Sequence, residues 1–173
     1  MANNKAQASF VPLNIAVVTV SDTRTEENDT SGGYLQKELV KAGHHLVEKH
    51  ICKDDVYRLR ALVANLIADT AIHAVLVTGG TGFTRRDNTV VAIKPLLDAS
   101  IDGFGELFRA LSYQEIGSST IQSRAFAGLS NDTVIFCMPG STGACKTAWE
   151  GIIAEQLNSL HKPCNFVGRL TDI

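Results

Sequence analysis

Excess charge of either sign is missing from this chain: 16 Lys and Arg stand against 18 Asp and Glu, a net charge of −2 over 173 residues. Near-neutrality gives no electrostatic case for nucleic acid or for an anionic membrane surface. Long apolar runs are missing too, since none approaches the roughly 18–20 residues that span a bilayer. Met1 to Ser9 is polar where a signal peptide would be apolar, so residues 1–10 read as a disordered tail and 11–173 as a single domain. The four cysteines form no C-x-x-C pair, which points away from a zinc ribbon or disulfide scaffold and toward reduced thiols in a cytoplasm. The five histidines show no metal-ligand spacing. Neither a Ser-His-Asp nor a Cys-His arrangement is suggested by chain order. The single tryptophan, Trp149, reads as a packing residue. No repeat or low-complexity stretch divides the chain.

The richest stretch is Val77-Thr78-Gly79-Gly80-Thr81-Gly82-Phe83-Thr84-Arg85-Arg86-Asp87. An apolar run ends here in three glycines within four residues, followed by two arginines and a carboxylate. Glycines let backbone N–H groups crowd an anion, and a helix N-terminus adds partial positive charge. Arg85 and Arg86 offer forked donors to phosphate oxygens, while Asp87 suits Mg²⁺. The combination asks for a metal-bound polyphosphate. It is neither a Walker A loop nor a G-x-G-x-x-G fingerprint.

Strand and helix patterns alternate around this loop. Leu13 to Val20, His45 to Cys52, the run from His73 into the glycines, and Thr133 to Met138 read as strands. Helical spacing appears over 29–42 with Asp29 or Thr30 as N-cap. It appears again after Asp54 (Leu59, Leu62, Val63, Leu66, Ile67), over 87–98 and 104–112, and from Ser141 or Thr142 to about Leu160. The pattern predicts an α/β fold of three layers, α/β/α, around a mostly parallel sheet. Ligands on such sheets bind beyond the carboxyl ends of the strands. Those ends carry Ser21-Asp22, Lys53-Asp54, Gly79 to Asp87 and Pro139 to Thr142, four polar clusters on one rim.

Asp54 and Asp87 are the carboxylates placed to hold a divalent cation between them. Taken alone, Asp54 is better explained as a helix N-cap; beside Asp87 the two readings stand even, with Asp55 facing solvent. Asp22 either binds ligand or ends the first turn. Gly140 and Ser141 permit a second anion- or ring-binding loop, and Ser141 is equally fit to cap the next helix. Glu106 and Arg109, after Gly103-Phe104-Gly105, and the pair Ser123-Arg124 put charge into an otherwise apolar region.

These elements resemble the MoaB/MogA family of molybdenum-cofactor biosynthesis proteins, most closely its MoaB branch. The matching segments are Val18 to Asp22, Asp29 to Gly32, Thr78 to Gly82, Arg85 to Asp87, Gly103 to Glu106, Ser123 to Ala125 and Met138 to Ser141, in family order. A closing His161-Lys162-Pro163-Cys164-Asn165-Phe166 joins them. The resemblance implies a Mg²⁺-dependent transfer of adenylate from ATP to molybdopterin, with release of pyrophosphate. It implies that Asp54 and Asp87 serve Mg²⁺-ATP and catalysis and that Gly79, Gly80, Thr81 and Gly82 hold phosphate. Arg85 or Arg86 would stabilise the pyrophosphate, and Gly140 and Ser141 would line the rest of the pocket. Ser21, Asp22, Glu106 and Arg109 join these as candidate ligand contacts. It further implies a homotrimer or homohexamer, with Phe104, Phe108 and Pro163 to Phe166 as candidate contacts, and a second role open to such chains, a non-catalytic pterin carrier or scaffold. Family members usually continue Arg-Arg-Asp with Thr-Pro-Glu/Asp. Here Asn88-Thr89-Val90-Val91 follows, without the proline or the acid.

Overall fold

The β-branched run Asn14–Val20 forms β1, and five further strands join it in one sheet in the computed structural model, which describes residues 9–171. In chain order β1 is followed by α1 (Thr30–Lys41), β2 (His45–Cys52), α2 (Val56–Ala68), β3 (Ala74–Thr78), α3 (Thr89–Ile93) and β4 (Ala99–Ser100). Then come α4 (Asp102–Ile116), β5 (Phe126–Ser130), β6 (Thr133–Met138), α5 (Thr142–Ala148), α6 (Ala154–Gln156) and α7 (Val167–Leu170). A 3₁₀ turn, Lys94–Leu96, follows α3, and a longer one, Gly117–Gln122, follows α4; a π turn, Trp149–Ile153, joins α5 to α6.

The strand order is β2-β1-β3-β6-β5-β4, with β2, β1, β3 and β6 parallel and β5 and β4 antiparallel at one edge. Alternation along each central strand divides the core into two layers. Ile15, Val17, Leu76, Phe136 and Met138 face one side with Leu35 and Leu39 of α1, Phe108 of α4 and Cys145 of α5. Ala16, Val18, Val75, Val77 and Ile135 face the other with Leu59 and Val63 of α2 and Ile93 of α3. Strands apolar on both faces are what a parallel sheet covered twice requires. The three-layer α/β expectation holds. The antiparallel edge was not legible as strand, because Phe126-Ala127-Gly128-Leu129-Ser130 mixes small residues into the run. Gly128 is needed there: a Cβ would lie 2.5 Å from Leu97 Cδ1 and 2.7 Å from the Ala99 carbonyl oxygen.

Three other expectations are corrected. Phe104 and Phe108, candidate contacts between subunits, are buried in the core of the protomer, with Phe104 5.1 Å from the Phe136 ring. Their neighbour Leu107 is the exposed one. The helix expected over 87–98 is a single α-helical stretch, Thr89–Ile93, closed by the 3₁₀ turn with Pro95 in it. Of the tail expected over 1–10, positions 1–8 lie outside the described residues, but Phe10 packs against His44, with ring centres 5.2 Å apart and tilted by 46°, and so belongs to the domain.

Two buried ties fix the start of the chain. Asp29 caps α1, taking hydrogen bonds from Gly32 N–H and the Thr19 hydroxyl at 2.9 Å each, and its buried charge is met by Lys49 Nζ at 3.2 Å. Leu13 N–H donates to Nδ1 of His44 at 3.2 Å, and Asn14 N–H donates to Nδ1 of His73 at 2.9 Å. Both rings must therefore be neutral at Nδ1. Burial lowers His73 and pushes His44 down to about 4 from 6.5, with the neighbouring His45 adding to the latter. A base whose folded pKa is depressed contributes stability that is fully present above the unfolded value and is lost as pH falls toward the folded value. Urea unfolding should therefore weaken between pH 6.5 and pH 4, by up to about 3 kcal/mol for His44 alone. His44→Asn keeps an acceptor near Nδ1 without titrating, and it should flatten that slope. An unchanged slope in the variant would remove His44 as its cause.

Candidate active site

The chain runs from β1 to β2 on one side and then crosses back over β1 to β3, so the sheet reverses its winding between β1 and β3. α1 and α2 lie on opposite faces as a consequence. Such a reversal opens a crevice at the carboxyl ends of the strands, and the four polar clusters expected on one rim do meet there. Ser21 N–H bonds the Cys52 carbonyl at 2.9 Å, joining the ends of β1 and β2. Gly79 N–H bonds the Met138 carbonyl at 2.9 Å, joining β3 to β6.

The glycine loop turns by positive φ at Gly79 (+108°) and Gly80 (+65°), and a Cβ at Gly79 would lie 2.3 Å from the Val20 carbonyl oxygen. Only glycine fits this close approach. Thr89, the one residue kept from the usual Thr-Pro-acid segment, closes the loop. Its hydroxyl donates to Gly79 O at 2.7 Å and its N–H to Gly80 O at 3.0 Å. Val91, where the usual acid would stand, is exposed, and Arg60 donates to its carbonyl at 2.8 Å. Among the described residues the N–H groups of Gly80, Thr81, Gly82 and Phe83 have no hydrogen-bond partner within the protein. Arg85 and Arg86 are exposed beside them and make no ion pair with a described residue.

The carboxylates divide differently from the simplest reading. Asp55, expected to face solvent, is the N-cap of α2, its Oδ1 taking the N–H groups of Tyr57 and Arg58 at 3.1 and 2.9 Å. Asp54 is thereby released from capping. Its N–H donates to Asp22 Oδ1 at 3.2 Å, its own Oδ1 accepts from Asn88 N–H at 2.9 Å, and its Oδ2 lies against Gly80. Asp87 Oδ2 accepts Thr84 N–H at 2.7 Å and lies against Gly82. Burial raises the Asp54 pKa above its ordinary value; hydrogen bonds from Asn88 oppose this, and the charges of Asp87 and Asp22 reinforce it. Three acids that repel one another beside four unused N–H groups fit a cation bridged to an anion. No group of three or more His, Cys, Asp or Glu among the described residues is spaced to enclose a metal.

Next to the loop lies a cavity of about 190 Å³ lined by Thr81, Gly82, Ser112, Thr120, Ser123 and Ser141 among others. Ser141 caps α5, taking Ala144 N–H at 3.1 Å, and also lines this cavity, so its two readings coexist. Gly140 is exposed, and a Cβ on it would come within 3.1 Å of Gly79. The hydroxyls of Thr81 and Thr120 are buried and have no hydrogen-bond partner among the described residues. Thr120 was not legible in the sequence, because the turn Gly117–Gln122 carries no periodic signal, and Ser112, at the end of the helical stretch read over 104–112, has no residue-type signal of its own. Ser21 sits on the rim, where its hydroxyl takes the N–H groups of Thr23 and Arg24. Glu106 and Arg109 are not on the rim. They line a second cleft of about 520 Å³ with Lys94, Ser123 and Arg124, and Arg109 donates to the Ala125 carbonyl at 3.1 Å.

A family profile described as "Probable molybdopterin binding domain" matches residues 16–159. The chain belongs to this molybdopterin-binding MoaB/MogA family. Molybdenum cofactor biosynthesis protein B of Escherichia coli K12 is 53% identical over 163 residues, covering 94% of this chain and 96% of that one. The Bacillus subtilis 168 protein of the same name is 47% identical over 142 residues, covering 82% and 84%. A crystal structure of molybdenum cofactor biosynthesis protein B superposes with a TM-score of 0.82 at 44% identity, covering 85% of this chain and 92% of that one. As a member of the MoaB/MogA family, the chain works in molybdenum cofactor biosynthesis.

Proposed function

We propose that the chain adenylylates molybdopterin: the pterin's terminal phosphate attacks the α-phosphorus of ATP, a new P–O–P linkage forms and pyrophosphate leaves. The observation that supports this reading is the pairing of a crevice of three carboxylates and four unbonded amides with a mostly apolar cavity, walled by Phe108, Ile116, Pro139 and Ala144 and edged by Ser and Thr side chains. The first suits a metal-bound polyphosphate. The second suits the apolar faces of a flat heterocycle, whose edge would meet the buried Thr81 and Thr120 hydroxyls once the wall shifts to uncover them.

A phosphate monoester is mostly dianionic near neutral pH, its second pKa being about 6, so no general base is required. The chemistry needs alignment and cancelled repulsion. The N–H groups of Gly80 to Phe83 and the arginines 85 and 86 would orient the nucleotide phosphates. Asp54 and Asp87 would hold the Mg²⁺, and Asp22 would fix the backbone of Asp54. Mg²⁺ held there would supply neutralisation of phosphate charge. The wall from Ser112 to Thr120 would hold the pterin so that its phosphate reaches the loop.

The deciding experiment is pyrophosphate release from Mg²⁺-ATP with fresh molybdopterin. Pyrophosphate in step with adenylated pterin, lost in Asp87→Asn, is the expected result. Tight pterin binding without ATP consumption would instead make the chain a carrier.

A further inference from the structure

The glycine loop's amides stand free because its carbonyls are held elsewhere: Thr89 holds those of Gly79 and Gly80, and one further residue holds those of Thr81 and Gly82. Arg124, at the end of the 3₁₀ turn and before β5, donates its backbone N–H to Thr81 O at 3.0 Å and its Nε to the same oxygen at 3.3 Å. Its Nη2 donates to Gly82 O and, at 3.0 Å, to Asp87 O. The guanidinium lies 4.8 Å from the centre of the Phe83 ring, which keeps the loop's tip against it.

A trans peptide points its carbonyl and its N–H in opposite directions. Turning the carbonyls of Thr81, Gly82 and Asp87 onto Arg124 therefore turns the N–H groups of Gly82, Phe83 and Asn88 away from it. Two of these are among the unpartnered loop donors, and the third is the bond at 2.9 Å to Asp54 Oδ1. We propose that Arg124 is the positioning residue of this site: it orients three peptide groups, and through them both the phosphate-binding amides and the Asp54 carboxylate. It touches neither reacting atom. A lysine cannot replace the planar fork that spans three carbonyls. The proposal rests on the loop's reading as a phosphate site, so its test includes a measurement that needs no ligand.

Arg124 also lines the open 520 Å³ cleft, so a small cation can reach the space its side chain would vacate. In Arg124→Ala, hydrogen exchange of the segment 84–89, which contains the bonded amides of Thr84, Asp87, Asn88 and Thr89, should speed up. Segments from β1 and α2 should not change. Arg124→Lys should behave like the alanine variant. Affinity for Mg²⁺-pyrophosphate should fall about 10²-fold in both, the scale of a misplaced site. Guanidinium chloride at millimolar, non-denaturing concentration should restore slow exchange and pyrophosphate affinity in the alanine variant, with sodium chloride of equal strength restoring neither. Unchanged exchange in 84–89, or faster exchange everywhere, would overturn the proposal. If the wild-type chain binds no pyrophosphate, the phosphate reading fails while the exchange comparison still decides the role of Arg124.

Discussion

Asp54→Asn is expected to lower adenylylation by about 10²–10³-fold, the scale of removing one charge-stabilising group from a reaction site, without weakening the fold. Asparagine keeps an oxygen where Asn88 N–H needs an acceptor. It removes only the charge, and that charge opposes folding. An acid whose folded pKa is raised binds its proton more tightly when folded, so its ionisation costs stability as pH climbs from the ordinary value through the folded one. At pH 7 the variant should therefore melt no lower than the wild type. Asp55→Ala is the control next door. It loses the cap on α2 and about 1 kcal/mol of stability, with turnover unchanged under conditions where the protein stays folded. The pH profile supplies a second reading. The acid limb of kcat/KM in the wild type should stand above the ordinary aspartate range and disappear from the residual activity of Asp54→Asn. Turnover lost in Asp55→Ala and kept in Asp54→Asn would exchange the two assignments.

That pair also shows where sequence reasoning stops. Strand ends followed by polar clusters are local patterns, so the rim at the ends of β1, β2, β3 and β6 was legible before any coordinates, as was the glycine loop. Which of two adjacent aspartates caps the helix depends on one backbone torsion, and neither composition nor spacing carries it. Asp55 is extended at φ −124°, ψ 127°, and so becomes the cap. Arg124 was visible as a charged residue in an apolar stretch, but its partners are backbone carbonyls 37 to 43 positions away. Carbonyls have no residue type to read. Glu106 and Arg109 share a short segment with the family's Gly-Phe-Gly, yet the turn of α4 carries them to the second cleft. Phe104 and Phe108 are one helical turn apart, and that same spacing serves an interface or a core; the sheet behind them makes it a core.

The cavity wall gives the second large effect, in which stability and binding should move in opposite directions. Thr81 and Thr120 are 2% and 7% exposed, and each buries a hydroxyl with no partner among the described residues. An unsatisfied buried hydroxyl costs roughly 1–3 kcal/mol, and valine fills nearly the same space without it. The double variant Thr81→Val, Thr120→Val should therefore gain about 2 kcal/mol in ligand-free urea unfolding. Its affinity for molybdopterin should fall by about 10 to 100-fold, one to two lost hydrogen bonds at about 1.4 kcal/mol per decade. Thr120→Val alone should leave Mg²⁺-ATP affinity intact, since Thr120 lies in the turn after α4 and not in the glycine loop. Higher stability with unchanged pterin affinity would show that the hydroxyls do not meet the ligand. Lower stability would show that they are already satisfied in the free protein, by water or by each other. The expected combination has one physical source: a cost left standing in the covered wall is removed when the wall shifts and the pterin supplies the missing partners, and so it appears as affinity.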